Sequence, residues 1–402
     1  MVPSGADAEE APWREEIGAA LAALPAARRR ALRSFSRADT GSGALLRPAG
    51  GGPPLLDLAS NDYLGLSRHA AVIAAAAETM AAEGLGAGAS RLVSGSRPVH
   101  GRLEGELAAW LGRERVLLFP SGFQANLAAV TALADRHSLV LADRLVHHSL
   151  LAGARASGAR LQRFAHNDLQ DLERKLAAAR RAAPRQRLLV LSESLFSMEG
   201  TSPDVPGLAA LCRRHRALLL LDEAHALGVL GPGGRGLAWG LADVALISGT
   251  FGKSFGSGGA FLATDTLLGE WLLQHSGGFR YTTALAPPLA AGALAALAVL
   301  QREGGAGQAL CRRAERWRQS LVEAGWTRPA GVGPILSLIT GSDGAALALQ
   351  RRLERQGLLS VAIRPPTVPA GTSRLRLVVR QDLPADTLPR LLTALGPAHA
   401  AP

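Results

Sequence analysis

The chain has 402 residues, 48% hydrophobic and 19% charged, enough to build a large core divided over two or three domains. It contains no run of 18 apolar residues, and Met1 to Ala11 is acidic without an apolar leader, so neither a membrane span nor a secretory signal is expected and the cytoplasm is the expected location. The net charge of +11 is spread along the chain and aromatics make up only 4%, which argues against a nucleic-acid platform; the two cysteines, Cys212 and Cys311, lie outside any metal-ligating spacing and exclude a disulfide framework.

Residues 1–55 read as a leading helical arm that carries Arg28-Arg29-Arg30-Ala31-Leu32-Arg33 and ends at the breaker Gly50-Gly51-Gly52-Pro53-Pro54. From Arg115 onward, short apolar runs are followed by polar clusters and then by helical spacing, the signature of a doubly wound, mostly parallel sheet. Arg115 to Phe119 leads into Ser121-Gly122-Phe123. Leu139 to Ala142 leads into Asp143 and His147-His148-Ser149. Arg187 to Leu191 leads to Glu193 and Ser197, and Ala217 to Leu221 leads to Asp222-Glu223-Ala224-His225. Val244 to Ile247 precedes the glycine-rich window Thr250 to Gly259. Five strands therefore deliver Gly122, His147, Ser197, Asp222, His225 and Lys253 to one sheet edge, where open α/β sheets bind ligands. An Ala-Leu-rich helix from Leu289 to Leu300 links a large domain, 56–290, to a smaller α/β domain, 291–402.

Of the 44 basic residues only Lys175 and Lys253 are lysine. Arginine supplies surface charge but cannot deprotonate, whereas a lysine amine can attack a carbonyl. Lys175 sits in Leu172-Glu173-Arg174-Lys175-Leu176, a solvated helix face. Lys253 lies in a loop past a strand, where an amine can form a Schiff base. The other members have plainer readings: Ser121 is a helix cap, Asp222 a carboxylate paired with an arginine, and His147 or His148 a half-buried loop histidine. Five apolar residues before Asp222 nonetheless describe a strand buried on both faces, whose terminal carboxylate requires a cationic partner. A pyridinium N–H fits that need, a helix N-terminus behind Gly122 fits a phosphate, and Lys253 fits an aldehyde; together these are the requirements of pyridoxal 5′-phosphate.

Asp222-Glu223-Ala224-His225-Ala226-Leu227-Gly228 and Thr250-Phe251-Gly252-Lys253 resemble the signature of the α-oxoamine synthases, acyltransferases of the pyridoxal-phosphate-dependent, aminotransferase-like fold type I. The likeness extends over Ser60-Asn61-Asp62-Tyr63-Leu64-Gly65-Leu66, Gly86 to Arg91, His100 with Leu103-Glu104, Ser121-Gly122-Phe123, Phe196-Ser197-Met198, Tyr281-Thr282-Thr283 and Arg364 to Pro369. The run Ala362 to Thr372 and the segment Arg163 to Asp168 are most similar to the branch that condenses L-alanine with a pimeloyl thioester of CoA or acyl carrier protein in biotin biosynthesis. Sister branches use glycine with acetyl-CoA or succinyl-CoA, or serine with palmitoyl-CoA.

The resemblance implies roles. Lys253 holds the cofactor and acts as general base, Asp222 keeps the ring nitrogen protonated, His147 stacks on the ring, and His225 with Ser197 lies near the ring's phenolic oxygen. Gly122, Phe123 and Thr250 hold the phosphate, with Thr282 or Thr283 reaching it from the partner of a homodimer. Arg364 pairs with the amino acid carboxylate, Thr367 lies beside it, and Arg33 from the N-terminal cluster contacts the acyl group. His148 stands where the family commonly has alanine, and Glu199 where it has aspartate. A catalytically dead relative would have lost Lys253, and a basic carrier-binding module would cluster its arginines.

Overall fold

The computed structural model describes residues 12–38 and 43–397; the acidic segment Met1 to Ala11 lies outside them. Seven strands form the central sheet: β1 (Arg115–Phe119), β2 (Leu139–Asp143), β3 (Arg160–Phe164), β4 (Leu188–Glu193), β5 (Leu218–Asp222), β6 (Leu246–Thr250) and β7 (Ala260–Thr264). Their spatial order is β1-β7-β6-β5-β4-β2-β3. Strands β2 to β6 run parallel, while β7 is antiparallel to both β1 and β6.

Strands β2 and β4 are buried at every residue, which is why their sequences are continuous apolar runs rather than alternating ones. Two strands lie outside the five expected from such runs. β3 is an edge strand with Arg160 and Arg163 exposed, so it has no apolar run to reveal it. β7 follows the glycine-rich window and closes the sheet against β1. The strand before Lys253 also runs further than its apolar residues suggest: Ser248 and Gly249 stay in the ladder because both edges of β6 are paired.

Side-chain caps start the helices next to the sheet. Ser121 Oγ accepts from Gln124 N at 3.3 Å ahead of helix Gly122–Leu133, and Asp168 accepts from Asp171 N at 2.9 Å ahead of Leu169–Ala182. The latter buries Leu172, Leu176 and Ala179 at helical spacing and leaves Lys175 on its outer side, bonded to Asp171 at 2.7 Å. Helix Pro287–Arg302 packs on Ala70–Glu83. Beyond it, strands Ile335–Gly341, Val361–Ile363 and Ser373–Val378 make an antiparallel sheet.

Distant parts of the chain are fastened together beside the central sheet. Strand Leu55–Asp57 pairs in parallel with Leu358–Leu359. Arg380, 1% exposed, meets Asp57 at 2.7 Å, Asp382 at 2.8 Å and Ser60 Oγ at 2.6 Å, a buried cation enclosed by carboxylates as burial demands. That cluster fixes the segment 57–63 above the sheet edge.

The loop bearing Lys253 is equally constrained. Gly256 has φ +62°, and a Cβ there would lie 2.0 Å from Ser67 N. Gly256→Ala is expected to cost roughly 2 kcal/mol or more and to lower the melting temperature; calorimetry of the variant checks this, and an unchanged melting temperature would show that the loop yields freely.

Candidate active site

The carboxyl ends of β4, β5 and β6, with the loops after β1 and β2, enclose a cavity of about 230 Å³ lined by Gly122, Phe123, Asn126, His147, Glu193, Asp222, His225, Thr250 and Lys253 among others. Parallel pairing makes this convergence automatic, since Glu193, Asp222 and Ser248 are register neighbours on adjacent strands.

Asp222 is 6% exposed, and its carboxylate has neutral fixed donors: Asn126 Nδ2 at 2.7 Å on one oxygen and Ala224 N at 2.9 Å on the other. No ion pair among the described residues includes it. A buried carboxylate held by neutral donors at the wall of a cavity is suited to a cation entering from that cavity. Asn126 Nδ2 also donates to Ser149 Oγ at 2.9 Å, which anchors the acceptor side of the same network.

Lys253 lines the same cavity. Burial lowers its amine to about 8, Asp222 and Glu193 pull it back up, and the Arg376 guanidinium adds to the lowering. A substantial neutral fraction near neutrality makes it a usable nucleophile and base. Glu193 is raised well above the usual carboxylate range, first by burial and then by the charge of Asp222; its Oε1 accepts from His147 N at 2.5 Å.

His147 caps helix His148–Ala156 and is oriented by Ser149 Oγ, 2.7 Å from Nδ1. His148 is not part of the lining; its ring lies 6.4 Å from that of Phe123. Gly122 and Phe123, in the same lining, begin helix Gly122–Leu133. Their N–H groups have no protein acceptor among the described residues, and Thr250 Oγ1, which accepts from Gly252 N at 3.2 Å, adjoins them. Open first-turn N–H groups facing a cavity form an anion site. His225 is held far toward the neutral imidazole by burial, helped by the charges of Lys253 and Arg376, and its Nδ1 lies 2.6 Å from Tyr63 Oη.

Seven of the residues singled out from the sequence therefore line one cavity: Gly122, Phe123, His147, Asp222, His225, Thr250 and Lys253. Ser197 lies just outside, its carbonyl accepting from Arg376 Nε at 2.6 Å. Arg364 donates to the Ala27 carbonyl, and Thr367 Oγ1 accepts from Arg30 at 3.4 Å. Arg33 pairs with Glu354 at 2.6 Å and covers the Phe35 ring, away from the cavity. Thr282 and Thr283 are also outside the lining.

Sequence reasoning assigned no role to Asn126, Glu193, Tyr63 and Arg376. Arg376 is 4% exposed, donates to Asn61 Oδ1 at 2.8 Å, and its charge acts on Lys253, His225 and Tyr63. Its signal is Ser373-Arg374-Leu375-Arg376-Leu377: two arginines two apart in an apolar strand share a face, and both are buried.

The family model described as aminotransferase class I and II matches residues 53–395. The chain belongs to this family. Its curated relatives include one from Bordetella bronchiseptica (strain ATCC BAA-588 / NCTC 13252 / RB50), 48% identical over 92% of this chain and 92% of its own. The 8-amino-7-oxononanoate synthase of Stutzerimonas stutzeri (strain A1501) is 43% identical over 87% of this chain and 89% of its own. Among solved structures, a serine palmitoyltransferase from S. paucimobilis with a bound PLP–myriocin adduct superposes with a TM-score of 0.84 at 26% identity, covering 90% of this chain and 91% of that one. The 8-amino-7-oxononanoate synthase of Francisella tularensis gives 0.73 at 25% identity, covering 85% and 96%.

The electrostatics of this aminotransferase-family site give a direct test. Cofactor-free protein, exposed to a small aldehyde and trapped with borohydride, is expected to be labelled at Lys253 with half-maximal rate near pH 8. Because Asp222 raises that amine, Asp222→Asn moves the midpoint down; a midpoint near pH 10 in either protein would contradict the described burial.

Proposed function

We propose that the protein is a pyridoxal-5′-phosphate-dependent C-acyltransferase that condenses L-alanine with a pimeloyl thioester, giving 8-amino-7-oxononanoate, CO₂ and the free thiol carrier, a step of biotin biosynthesis. The observation that carries this reading is Asp222, a buried carboxylate held by neutral donors, in one small cavity with a neutralisable lysine and a helix N-terminus. That donor set fits the three ends of one cofactor: pyridine nitrogen, aldehyde and phosphate.

When bound, pyridoxal phosphate accepts the electron pair released at the amino acid's α-carbon. Lys253 holds the cofactor through Nζ and, as a free amine titrating near 8, removes the proton from the α-carbon of alanine. Asp222 keeps a proton on the ring nitrogen, with Asn126 fixing the carboxylate's orientation. His147 covers one ring face. The N–H groups of Gly122 and Phe123, with Thr250, hold the phosphate, and His225 and Ser197 serve the phenolic oxygen.

Two guanidiniums are available for the substrate carboxylate. Arg376 acts on the site electrostatically and is fixed by Asn61 and the Ser197 carbonyl. Arg364 lies on the loop of residues 364–369, turned toward Ala27. We assign the principal contact to Arg376 and a supporting one to Arg364, with Thr367 and Arg33 toward the acyl donor. Loss of the carboxylate as CO₂ makes the condensation irreversible. The protein works as a cytoplasmic homodimer in which Thr282 or Thr283 reaches the neighbouring phosphate; no helix among the described residues is long and apolar enough to cross a membrane.

Purified protein is expected to show a visible cofactor band that responds more strongly to L-alanine than to glycine or L-serine and is lost in Lys253→Ala. A response led by glycine moves the substrate to a sister enzyme, and no band after addition of pyridoxal phosphate overturns the reading. Arg376→Lys is expected to raise KM for alanine at least tenfold, Arg364→Lys less; the reverse order in steady-state kinetics would return the principal contact to Arg364.

A further inference from the structure

We propose that Tyr63 is a positioning residue whose buried hydroxyl donates to Nδ1 of His225, fixing the imidazole with its proton on Nε2 and so presenting an N–H donor to the cavity. Tyr63 is fully buried, so its O–H must find an acceptor within reach. It has two, His225 Nδ1 at 2.6 Å and Asn61 Oδ1 at 3.4 Å. The first is a short hydrogen bond; the second is too long, and Asn61 Oδ1 already accepts from Arg376 at 2.8 Å. A proton directed at Nδ1 leaves that nitrogen as acceptor, and a neutral imidazole must then carry its own proton on Nε2.

The surrounding charges keep both partners in these forms. Burial, with Lys253, Arg376 and His147 around the ring, holds His225 neutral, and burial raises the Tyr63 phenol to about 12, so it stays a donor. Asp222, three residues before His225, binds Asn126 and Ala224 rather than the ring. His225 Nε2 has no protein partner among the described residues and is not among their sealed, unsatisfied atoms, which leaves it open to the cavity that His225 lines. Tyr63 cannot drift: its carbonyl accepts from Gln381 N at 2.8 Å, and the preceding residues are held by Asp57 and Arg380.

The consequence rests on the function proposed above. With the cofactor bound, an N–H at Nε2 would donate to its phenolic oxygen, favour that oxygen's anionic form and so lower the pH at which the bound cofactor loses its proton. In the holoenzyme, the pH midpoint of the visible band is expected to rise by about one unit in Tyr63→Phe, which keeps the ring and deletes the donor. In a His225→Ala background the same Tyr63→Phe change is expected to leave the midpoint where His225→Ala has put it, since Tyr63 acts through the imidazole. Nitrogen-15 spectra of histidine-labelled wild-type enzyme are expected to place the His225 proton on Nε2. An unchanged midpoint in folded Tyr63→Phe, a shift that persists without His225, or a proton found on Nδ1 would overturn the proposal. Absence of any visible band in the wild-type protein would instead sink the cofactor reading, and the nitrogen-15 result would still decide the tautomer.

Discussion

A carboxylate at the end of a strand buried on both faces is costly to keep charged, and the architecture around Asp222 is organised by that cost. Its two oxygens are occupied by an amide side chain and a backbone N–H, so it is oriented without being neutralised. The same negative charge props up the Lys253 amine against burial and drives Glu193, its register neighbour, toward the protonated state. Burial and the neighbouring charge of Asp222 together hold Glu193 well above the usual carboxylate range.

The parallel sheet is what lets one charge reach so many groups. Each parallel strand ends at the same edge, so residues separated by tens of positions in the chain become neighbours with no further folding device. The antiparallel β7 serves another purpose: it turns the chain back from the lysine loop and pairs with both β6 and β1, which brings the helix N-terminus at Gly122 next to Thr250.

Runs such as Leu218 to Asp222 made the sheet legible, because a strand buried on both faces needs apolar residues throughout and its polar successor marks the edge. Asp222, His225 and Lys253, at or just past those strand ends, were readable for the same reason, whereas Glu193 stood at another strand end without a role. β3 was not, since an edge strand with arginines exposed looks like any loop. Arg376 and Tyr63 escaped because they arrive from outside the central sheet: Arg376 meets Asn61 across 315 positions and Tyr63 meets His225 across 162, so although the arginine pair within Ser373 to Leu377 marks a buried face, nothing local tells what that face meets. The assignments on the substrate side, Arg364, Thr367 and Arg33, came from motif position alone. In the structure Arg364 is bonded to Ala27, Thr367 to Arg30 and Arg33 to Glu354, contacts that motif position does not encode.

Arg380 has a bearing on the order in which the protein can be made. It binds Asp57 across 323 positions, and among the described residues the ion pairs of Asp57, Asp62 and Asp382 all run to it. During synthesis the central sheet can collapse on its own apolar strands, yet Asp57, Asp62 and the segment carrying Asn61 and Tyr63 must wait for the last part of the chain to leave the ribosome. The edge that carries Asp222 and Lys253 is thus built from residues 115–264, whereas the segment that carries Tyr63 takes its anchor from residue 380.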